Sequence, residues 1–267
     1  MKRIIVHSGV FHADDCMCVA IAKTINPDVI VERKTLQQIT EDDKNDPETI
    51  IADIGYGEFD HHQPDAKLRE DGNKYAACGL MFEKFKLELF PDEASAELFR
   101  NRYIIPIEDA DNGISSNPLS YVIIDFRPDA LNTSGVDMMY KFNEAVDFIQ
   151  KILERAIDQA KAATKAKKKI KFLEESAING LLVTEEYFPT PLLIDSSITL
   201  EVSPSLRGGY QLCTVKVAEG SFIDKLILPE EWLTNKPEGC TFVHQNRFIA
   251  SFDDKESAVK AAMTLVS

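Results

Sequence analysis

The first 53 residues alternate short apolar segments with a helical one, and this alternation constrains the fold more than any other feature of the sequence. Residues 2–6 (KRIIV), 28–33 (DVIVER) and 49–53 (TIIAD) have the length and β-branched content of buried strands. Between the first two, residues 16–24 carry a helical apolar pattern. Strands that alternate with helices favour a mainly parallel sheet with helices on both faces. We therefore predict an α/β fold for the N-terminal part of the chain.

The middle of the sequence is predominantly helical. Helical patterns cover residues 74–90 and 92–113, whereas residues 41–48 and the segment between 113 and 137 are predicted as loops. A long helical pattern then begins at residue 137 and continues to about 179, with apolar residues three or four positions apart. This spacing predicts a single long helix with one buried face.

Short strands and turns replace the helical pattern after Asn179 and Gly180, which form a helix stop signal. The predicted strands are 190–195, 198–204, 210–217 and 240–244, and a final helix covers 253–266. We therefore predict three parts: an α/β domain over 1–135, a long connecting helix over 136–179 and a smaller α+β domain over 180–267.

Polar side chains gather where the predicted strands end. His7 follows the first strand, Asp53 ends the third, and further acids and histidines follow in loops. Ligands of parallel sheets bind beyond the carboxyl ends of the strands, so these residues are expected along one edge of the sheet. The candidates are His7, His12, Asp14, Asp15, Asp53, Asp60, His61, His62, Asp109 and Asp111.

These residue types indicate a metal centre. Four of the five histidines lie within the first 62 residues, all near acids. Carboxylates suit hard divalent cations, and manganese also accepts imidazole. We therefore predict a two-metal hydrolytic centre, in which a bound water attacks phosphorus and no serine or cysteine nucleophile is needed. The motifs G-x-S-x-G, G-x-x-x-x-G-K-[ST] and G-x-G-x-x-G are absent from the sequence.

The net charge and the cysteine content limit the classes of protein to which this chain can belong. The formal net charge of −14 argues against a broad basic face for long nucleic acid. The lysine-rich segment 161–171 is either a solvated helix face or a local phosphate-contacting surface. The five cysteines are scattered, which predicts reduced thiols rather than a disulfide framework. The N-terminal apolar run is interrupted too early for a signal peptide, and no apolar run has the length of a membrane span. We therefore predict a cytoplasmic protein.

The triplet Asp60-His61-His62 after Asp53 resembles the signature of the DHH phosphoesterase superfamily. Five ordered segments extend the likeness over nearly the whole chain and resemble the landmarks of the melanocyte-proliferating-gene family of metal-dependent exonucleases, also labelled metal-dependent protein hydrolases. These segments are HSGVFHADD, ADIGYGEFDHHQ, KYAACGL, EDADNG and CTFVHQNRFIASFDDKESA. The resemblance implies a DHH-like parallel-sheet domain, a long connecting helix, a smaller C-terminal domain and two manganese ions, with magnesium as the alternative.

The resemblance also implies which residues bind metal. Asp53 would bridge the two ions, and Asp111 is the rival of Asp109 as the last ligand. Within the first loop, the choice between the two histidines and between the two adjacent aspartates stays open. The implied metal ligands are His7, His12, Asp14, Asp15, Asp53, His61 and Asp109.

The catalytic residues are assigned from the same resemblance, and further residues are candidate substrate contacts. His61 would act together with its two neighbours in the triplet, which orient ligands or contact the phosphate. His244 is either a substrate contact or a strand-end histidine with a local hydrogen bond. The implied catalytic residues are Asp60, His61 and His62, and the candidate substrate contacts are Lys74, Asp111, Arg207 and His244.

The leading interpretation is a manganese-dependent phosphodiesterase that acts as an exonuclease on single-stranded RNA or DNA, or on short oligonucleotides. The negative charge of the chain favours short substrates. The alternatives are a small-molecule phosphatase or pyrophosphatase with the same metal core, a peptide hydrolase, and an inactive metal-binding interaction module. The sequence leaves open whether the chain acts alone or as a homo-oligomer.

Overall fold

The computed structural model describes residues 1–129 and 135–266, and the chain divides into two compact units, Met1–Lys161 and Ala162–Ser267. The domain boundaries predicted at 135 and 179 stay predictions, and residues 130–134, which close the first predicted domain, lie outside the described residues. Among the described residues, no helix combines the length and the apolar character that a membrane crossing requires.

A parallel sheet forms the centre of the N-terminal unit, as predicted. Its strands are β1 (Arg3–His7), β2 (Ile30–Lys34) and β3 (Thr49–Ile51). They lie in the order β2-β1-β3, and both pairs run parallel, with Arg3 opposite Ile30 on one side and opposite Thr49 on the other. Because β1 is central, its apolar residues Ile4, Ile5 and Val6 are fully buried. Both β1 and β3 therefore deliver the residues that follow them to the same edge of the sheet.

The helices of the N-terminal unit correct two predicted loops. They are α1 (Ala13–Ile25), α2 (Glu41–Asn45), α3 (Ala77–Leu89), α4 (Glu93–Phe99), α5 (Ile105–Asp111) and α6 (Pro118–Asp125). The loop predicted at 41–48 contains α2, because the Thr40 side chain accepts a hydrogen bond from the backbone N–H of Asp43 and caps the first turn. The loop predicted after residue 113 contains α6, which begins with Pro118 behind the capping residue Asn117.

The predicted helix over 92–113 is interrupted by a π-helical turn. This turn, Arg100–Ile104, joins α4 to α5. Pro106 follows it and has no backbone N–H to donate to the preceding turn, so a regular α-helical ladder cannot run through this point. The helix nevertheless continues, and Asp111 at its C-terminal end reaches His61.

A long helix, α7 (Gly135–Ser176), confirms the predicted helical pattern. Its apolar stripe is buried in the core of the N-terminal unit, where it packs with β1 and with the buried helix α1. The fully buried residues of the stripe are Phe142, Ala145, Val146, Ile149 and Leu153.

The C-terminal unit contains a mixed sheet covered by a final helix, α8 (Lys255–Val266). Its strands are β4 (Leu181–Val183), β5 (Leu200–Pro204), β6 (Tyr210–Thr214), β7 (Cys240–Val243) and β8 (Ile249–Phe252). Their order is β4-β5-β6-β8-β7, with only β4 and β5 parallel. The strand predicted at 190–195 is wrong: Thr190–Leu193 forms a 3₁₀ helix, because the two prolines at 189 and 191 withhold backbone donors from a sheet. Strands β4 and β8 were not predicted.

One side chain in this sheet is costly to ionise. Glu201 on β5 is fully buried, and neither of its carboxyl oxygens has a well-aligned hydrogen bond within the described residues. Burial raises the pKa of Glu201 to about 8. Since the unfolded chain ionises this group near its ordinary pKa, the protonated carboxyl stabilises the fold at low pH, and this contribution is lost as the pH rises toward 8.

We therefore expect Glu201→Gln to stabilise the protein at pH 7 by roughly 2–3 kcal/mol and to leave its stability at pH 4.5 nearly unchanged. Urea unfolding at both pH values measures this difference. Glu175→Gln, on an exposed position of α7, is the matched control and should track the native protein at each pH. Equal effects of Glu201→Gln at the two pH values would contradict the assignment.

Candidate metal centre

The first turn of α1 places two buried acids beneath the end of β1. Asp15 accepts hydrogen bonds at Oδ1 from the backbone N–H groups of His12, at 2.7 Å, and Cys16, at 3.0 Å. Asp14 accepts at both oxygens from the first N–H groups of α3, those of Ala77 at 3.0 Å and Cys78 at 2.8 Å. Backbone amides at the start of a helix hold negative charge well. These bonds fix both carboxylates in place beside the sheet edge.

Asp53 lies at the centre of the polar cluster. It follows β3 with a φ of 59°, a left-handed conformation that aspartate and asparagine adopt more readily than most residues. Its backbone N–H donates to the carbonyl oxygen of Phe59 at 2.8 Å, which folds the chain back toward the DHH triplet. Its Oδ2 lies 3.3 Å from Nε2 of His7, and its Oδ1 lies 3.3 Å from Nε2 of His61. The two oxygens of one carboxylate thus face two different histidines.

Within the triplet, Asp60 hydrogen-bonds its own loop, whereas His61 contacts the carboxylates of the cluster. Asp60 is buried and accepts hydrogen bonds from the backbone N–H groups of Tyr56, at 2.6 Å, and His62, at 3.1 Å. It also accepts from Nδ1 of His62 at 2.7 Å, which leaves Nε2 of that half-exposed ring available to face a ligand. The buried His61 instead points its Nε2 between Asp53 and Asp111.

The C-terminal end of α5 directs the carboxylates of Asp109 and Asp111 to different partners. Oδ2 of Asp111 lies 3.1 Å from Nε2 of His61. Asp109 turns the other way and pairs with the buried guanidinium of Arg69, which also donates to Glu108 at 3.1 Å. Asp111 therefore faces His61 and the cluster, whereas Asp109 is already paired with Arg69.

Two sets of side chains in the described part of the chain could hold a metal ion, and both contain His61. One set is Asp53, His61 and His62, and the other is Asp14, His61 and Asp111; within each, one potential ligand atom per residue lies within 4.8 Å of the others. The contacts of His61 Nε2 with Asp53 and Asp111 have ion-pair distances without hydrogen-bond alignment. A nitrogen directed at two carboxylates without bonding either fits a shared cation between them.

The electrostatics of the cluster also favour a cation. Burial alone would lower the pKa of His61, but its contacts with Asp111 and Asp53 raise this pKa to about 11. Burial raises the pKa of Asp14 well above its usual value and that of Asp15 to about 7, and the other carboxylates crowded into the cluster add to the effect. The cluster therefore needs positive charge, which a divalent ion supplies in exchange for protons on the imidazoles.

The donor set fits a hard divalent ion. Carboxylate oxygens and imidazole nitrogens line the cluster. The nearby thiols of Cys18 and Cys78 are fully buried, and burial raises their pKa well above the ordinary value, so they stay protonated. No cysteine among the described residues belongs to either metal-holding set, so the geometry gives no support to thiolate coordination of zinc.

The family model MYG1_exonuc, described as Uncharacterised protein family (UPF0160), matches residues 3–266. The chain belongs to this family. The resemblance to the melanocyte-proliferating-gene family is therefore confirmed over almost the whole length. Membership of the MYG1 exonuclease family, together with the acid and histidine sets, supports a metal-dependent hydrolase of the nuclease type.

Individual MYG1 proteins are distant but collinear with this chain. A MYG1 protein of Schizosaccharomyces pombe is 25% identical over 324 residues, covering 98% of this chain and 96% of the relative. A MYG1 protein of Dictyostelium discoideum is 22% identical over 325 residues, covering 97% and 95%. Both alignments span more positions than the 267 residues of this chain, so the relatives contain residues without a counterpart here.

Among solved structures, a crystal structure of RecJ in complex with Mg²⁺ from Thermus thermophilus is similar at 14% identity and a TM-score of 0.29. The match covers 98% of this MYG1-family chain and 50% of the RecJ chain.

The structure places the remaining predicted residues as follows. Exposed His12 lies with its ring centroid 5.7 Å from that of His7, beside the cluster but outside both metal-holding sets. Lys74 contributes its carbonyl oxygen to a hydrogen bond from the Asn112 side chain. In the C-terminal unit, Arg207 lies in the exposed turn between β5 and β6, and His244 accepts a local hydrogen bond from the backbone N–H of Asn246 at 3.0 Å. The assignment of these residues to substrate stays a prediction.

Sequence reasoning missed the cations around the cluster. Arg69 holds the two acids of α5 that face away from His61. Arg33 approaches Asp15 to 4.0 Å and donates to the carbonyl oxygen of Gly9 at 2.9 Å. Neither arginine stands in a recognisable motif, and the one available signal was the lone basic residue inside the acidic stretch LREDG.

Proposed function

We propose that this protein is a metal-dependent phosphodiesterase that shortens single-stranded RNA, DNA or short oligonucleotides from an end. The observation that carries the proposal is the pair of metal-holding sets that share His61, one of which contains Asp53. We further propose two ions, with manganese preferred over magnesium because imidazole nitrogen accompanies the carboxylates.

The proposed ligands follow from the contacts. Asp53 would be the ligand shared by the two ions, because its two oxygens face different histidines at 3.3 Å. His7, His61 and Asp111 would complete the ligand set. We assign Asp111 rather than Asp109 as the ligand of α5, since Arg69 already pairs with Asp109. Bound there, the ions would supply an activated water and would stabilise negative charge on the phosphate.

The chain itself provides orientation and proton placement. Asp60 accepts a hydrogen bond from Nδ1 of His62 and so fixes the orientation of this ring beside the cluster. The first amides of α3 favour the ionised form of Asp14 and fix it beside the cluster. Since these groups are bonded before substrate arrives, little reorganisation accompanies binding.

The charge of the chain favours short substrates. With a net charge of −14, the protein offers few basic residues for the backbone of a long strand. Metal ions can instead hold the scissile phosphate, and contacts to a single neighbouring nucleotide suffice for positioning. The proposed substrate is therefore a short oligonucleotide or the end of a single strand.

Hydrolysis of end-labelled RNA and DNA oligonucleotides and of pyrophosphate, each with added manganese, tests the proposal. We expect the native protein to shorten the oligonucleotides stepwise. His61→Ala should abolish this activity, because His61 belongs to both metal-holding sets. Asp28→Asn, in the exposed turn between α1 and β2, is the control and should retain full activity.

The alternative outcomes are distinct. If phosphate is released from pyrophosphate and the oligonucleotides are not cut, the substrates of this centre are small phosphate compounds. Equal activity of the native protein and His61→Ala would show that the metal cluster takes no part in the hydrolysis. Absence of hydrolysis together with absence of bound metal would favour an interaction module.

A further inference from the structure

A cavity of about 440 Å³ opens beside the metal cluster within the N-terminal unit. Asp14 and Asp111, both members of one metal-holding set, form its wall on the cluster side. One face of α6 and its capping residue also line the cavity. A volume of this size suits a single small ligand and is far too small for a folded nucleic acid.

The α6 face combines apolar and polar side chains at helical spacing. Asn117, Ser120, Tyr121 and Ile124 stand at positions i, i+3, i+4 and i+7 and so share one side of the helix. Tyr121 is 59% exposed and Ile124 is 38% exposed, although Ile123 on the other side is fully buried in the core. An exposed aromatic ring and an exposed isoleucine at the mouth of a cavity indicate a ligand surface rather than a packing surface.

Two hydrogen-bonding groups on this face lack partners among the described residues. Oδ1 of Asn117 accepts from the backbone N–H of Leu119 at 3.1 Å, and this cap fixes the amide so that Nδ2 is the group left without a partner among the described residues. Asn117 is only 8% exposed, yet its Nδ2 bonds to no group in the described part of the chain, and the same is true of the shielded Ser120 Oγ. Buried donors without partners are costly, so a ligand with acceptor oxygens is expected to satisfy them.

We propose that this cavity binds the terminal nucleotide of the substrate, with Tyr121 stacked on its base and Asn117 and Ser120 donating to its phosphate and sugar oxygens. The proposal rests on the phosphodiesterase function proposed above, because it assigns the cavity to the nucleotide whose phosphate lies at the adjacent metal cluster. Aromatic stacking accepts any base, so the subsite selects a nucleotide without selecting a sequence. A cavity for one nucleotide also favours attack at a chain end over attack within a strand.

Calorimetric titration of the full-length protein with AMP and with ribose 5-phosphate, in the presence of manganese, tests the subsite. AMP should bind more tightly than ribose 5-phosphate. Tyr121→Ala should weaken AMP binding about five- to hundredfold and should change ribose 5-phosphate binding little. Asn117→Ser keeps a helix-capping oxygen but removes the amide donor, and it should weaken both ligands about tenfold.

The control is Tyr140→Ala, since Tyr140 is 62% exposed on α7 and does not line the cavity. It should bind AMP as the native protein does. Equal AMP affinity in Tyr121→Ala and the native protein, or equal affinity of the native protein for AMP and ribose 5-phosphate, would overturn the subsite. These affinities are measured without turnover. If the proposed phosphodiesterase function is wrong, the native protein will not hydrolyse oligonucleotides. AMP binding can still depend on Tyr121 in that case, so the two proposals fail separately.

Discussion

Replacing Asp53 with asparagine is expected to lower manganese-dependent hydrolysis on the order of a thousandfold or more. Asp53 is the residue whose two oxygens face His7 and His61, each at 3.3 Å, so removal of its charge affects both sides of the centre. Asparagine is nearly isosteric and also tolerates the left-handed φ of 59°, so the backbone turn should persist. The substitution thus separates the charge of this residue from its conformation.

Two measurements check this expectation: kcat/KM on a short oligonucleotide, and the manganese content of the dialysed protein by mass spectrometry. Both should fall in Asp53→Asn. Asp28→Asn makes the same chemical change at an exposed turn and should leave both unchanged. If Asp53→Asn retains its manganese and activity within a few-fold of the native values, Asp53 is not a ligand of the proposed centre.

The placement of His7 and Asp53 at one edge of the sheet was predictable, because local apolar patterns indicated the strands that precede them. The run Ile4-Ile5-Val6 has no polar interruption and forms a fully buried central strand. Once β1 and β3 are parallel neighbours, His7 and Asp53 must leave the sheet at the same edge. Their contact at 3.3 Å is a consequence of topology, which the periodicity of the sequence already indicated.

The different partners of Asp109 and Asp111 were not predictable, because they depend on a residue from a distant loop. Both acids lie at the end of α5 and look equivalent in the sequence EDADNG. Arg69 reaches Asp109 across 40 positions of sequence, and only the folded chain brings them together. Pairing of this kind has no local signature.

The cavity beside the cluster escaped sequence reasoning for a different reason. Helix α6 is only eight residues long and follows the turn-forming segment DNGISSN, which favoured a loop interpretation. Its stability depends on the Asn117 cap and on burial of Ile123, a tertiary contact. Short helices held by packing are therefore where sequence patterns fail, and here that helix carries the proposed nucleotide contacts.

Gly79→Ala is expected to destabilise the fold by about 3–5 kcal/mol, although alanine normally stabilises a helix interior relative to glycine by about 1 kcal/mol. A Cβ at position 79 of α3 would lie 1.8 Å from Oε1 of Glu108 and 2.5 Å from its Cδ. Glu108 cannot retreat, because it is fully buried and holds both Arg69 and the backbone N–H of Ala76 at 3.1 Å. The added methyl group must therefore push α3 away from α5.

The same displacement should weaken the metal centre, because α3 and α5 position two of its carboxylates. The first amides of α3 hold Asp14, and Asp111 follows Glu108 by less than one turn of α5. Urea unfolding and manganese titration should both shift in Gly79→Ala. Gly57→Ala is the matched control, since among the described residues no atom beyond its chain neighbours lies within 4 Å of the place its methyl group would take. It should stay within about 1 kcal/mol of the native protein. A Gly79→Ala protein as stable as the Gly57→Ala control would show that the contact between α3 and Glu108 does not restrain the centre.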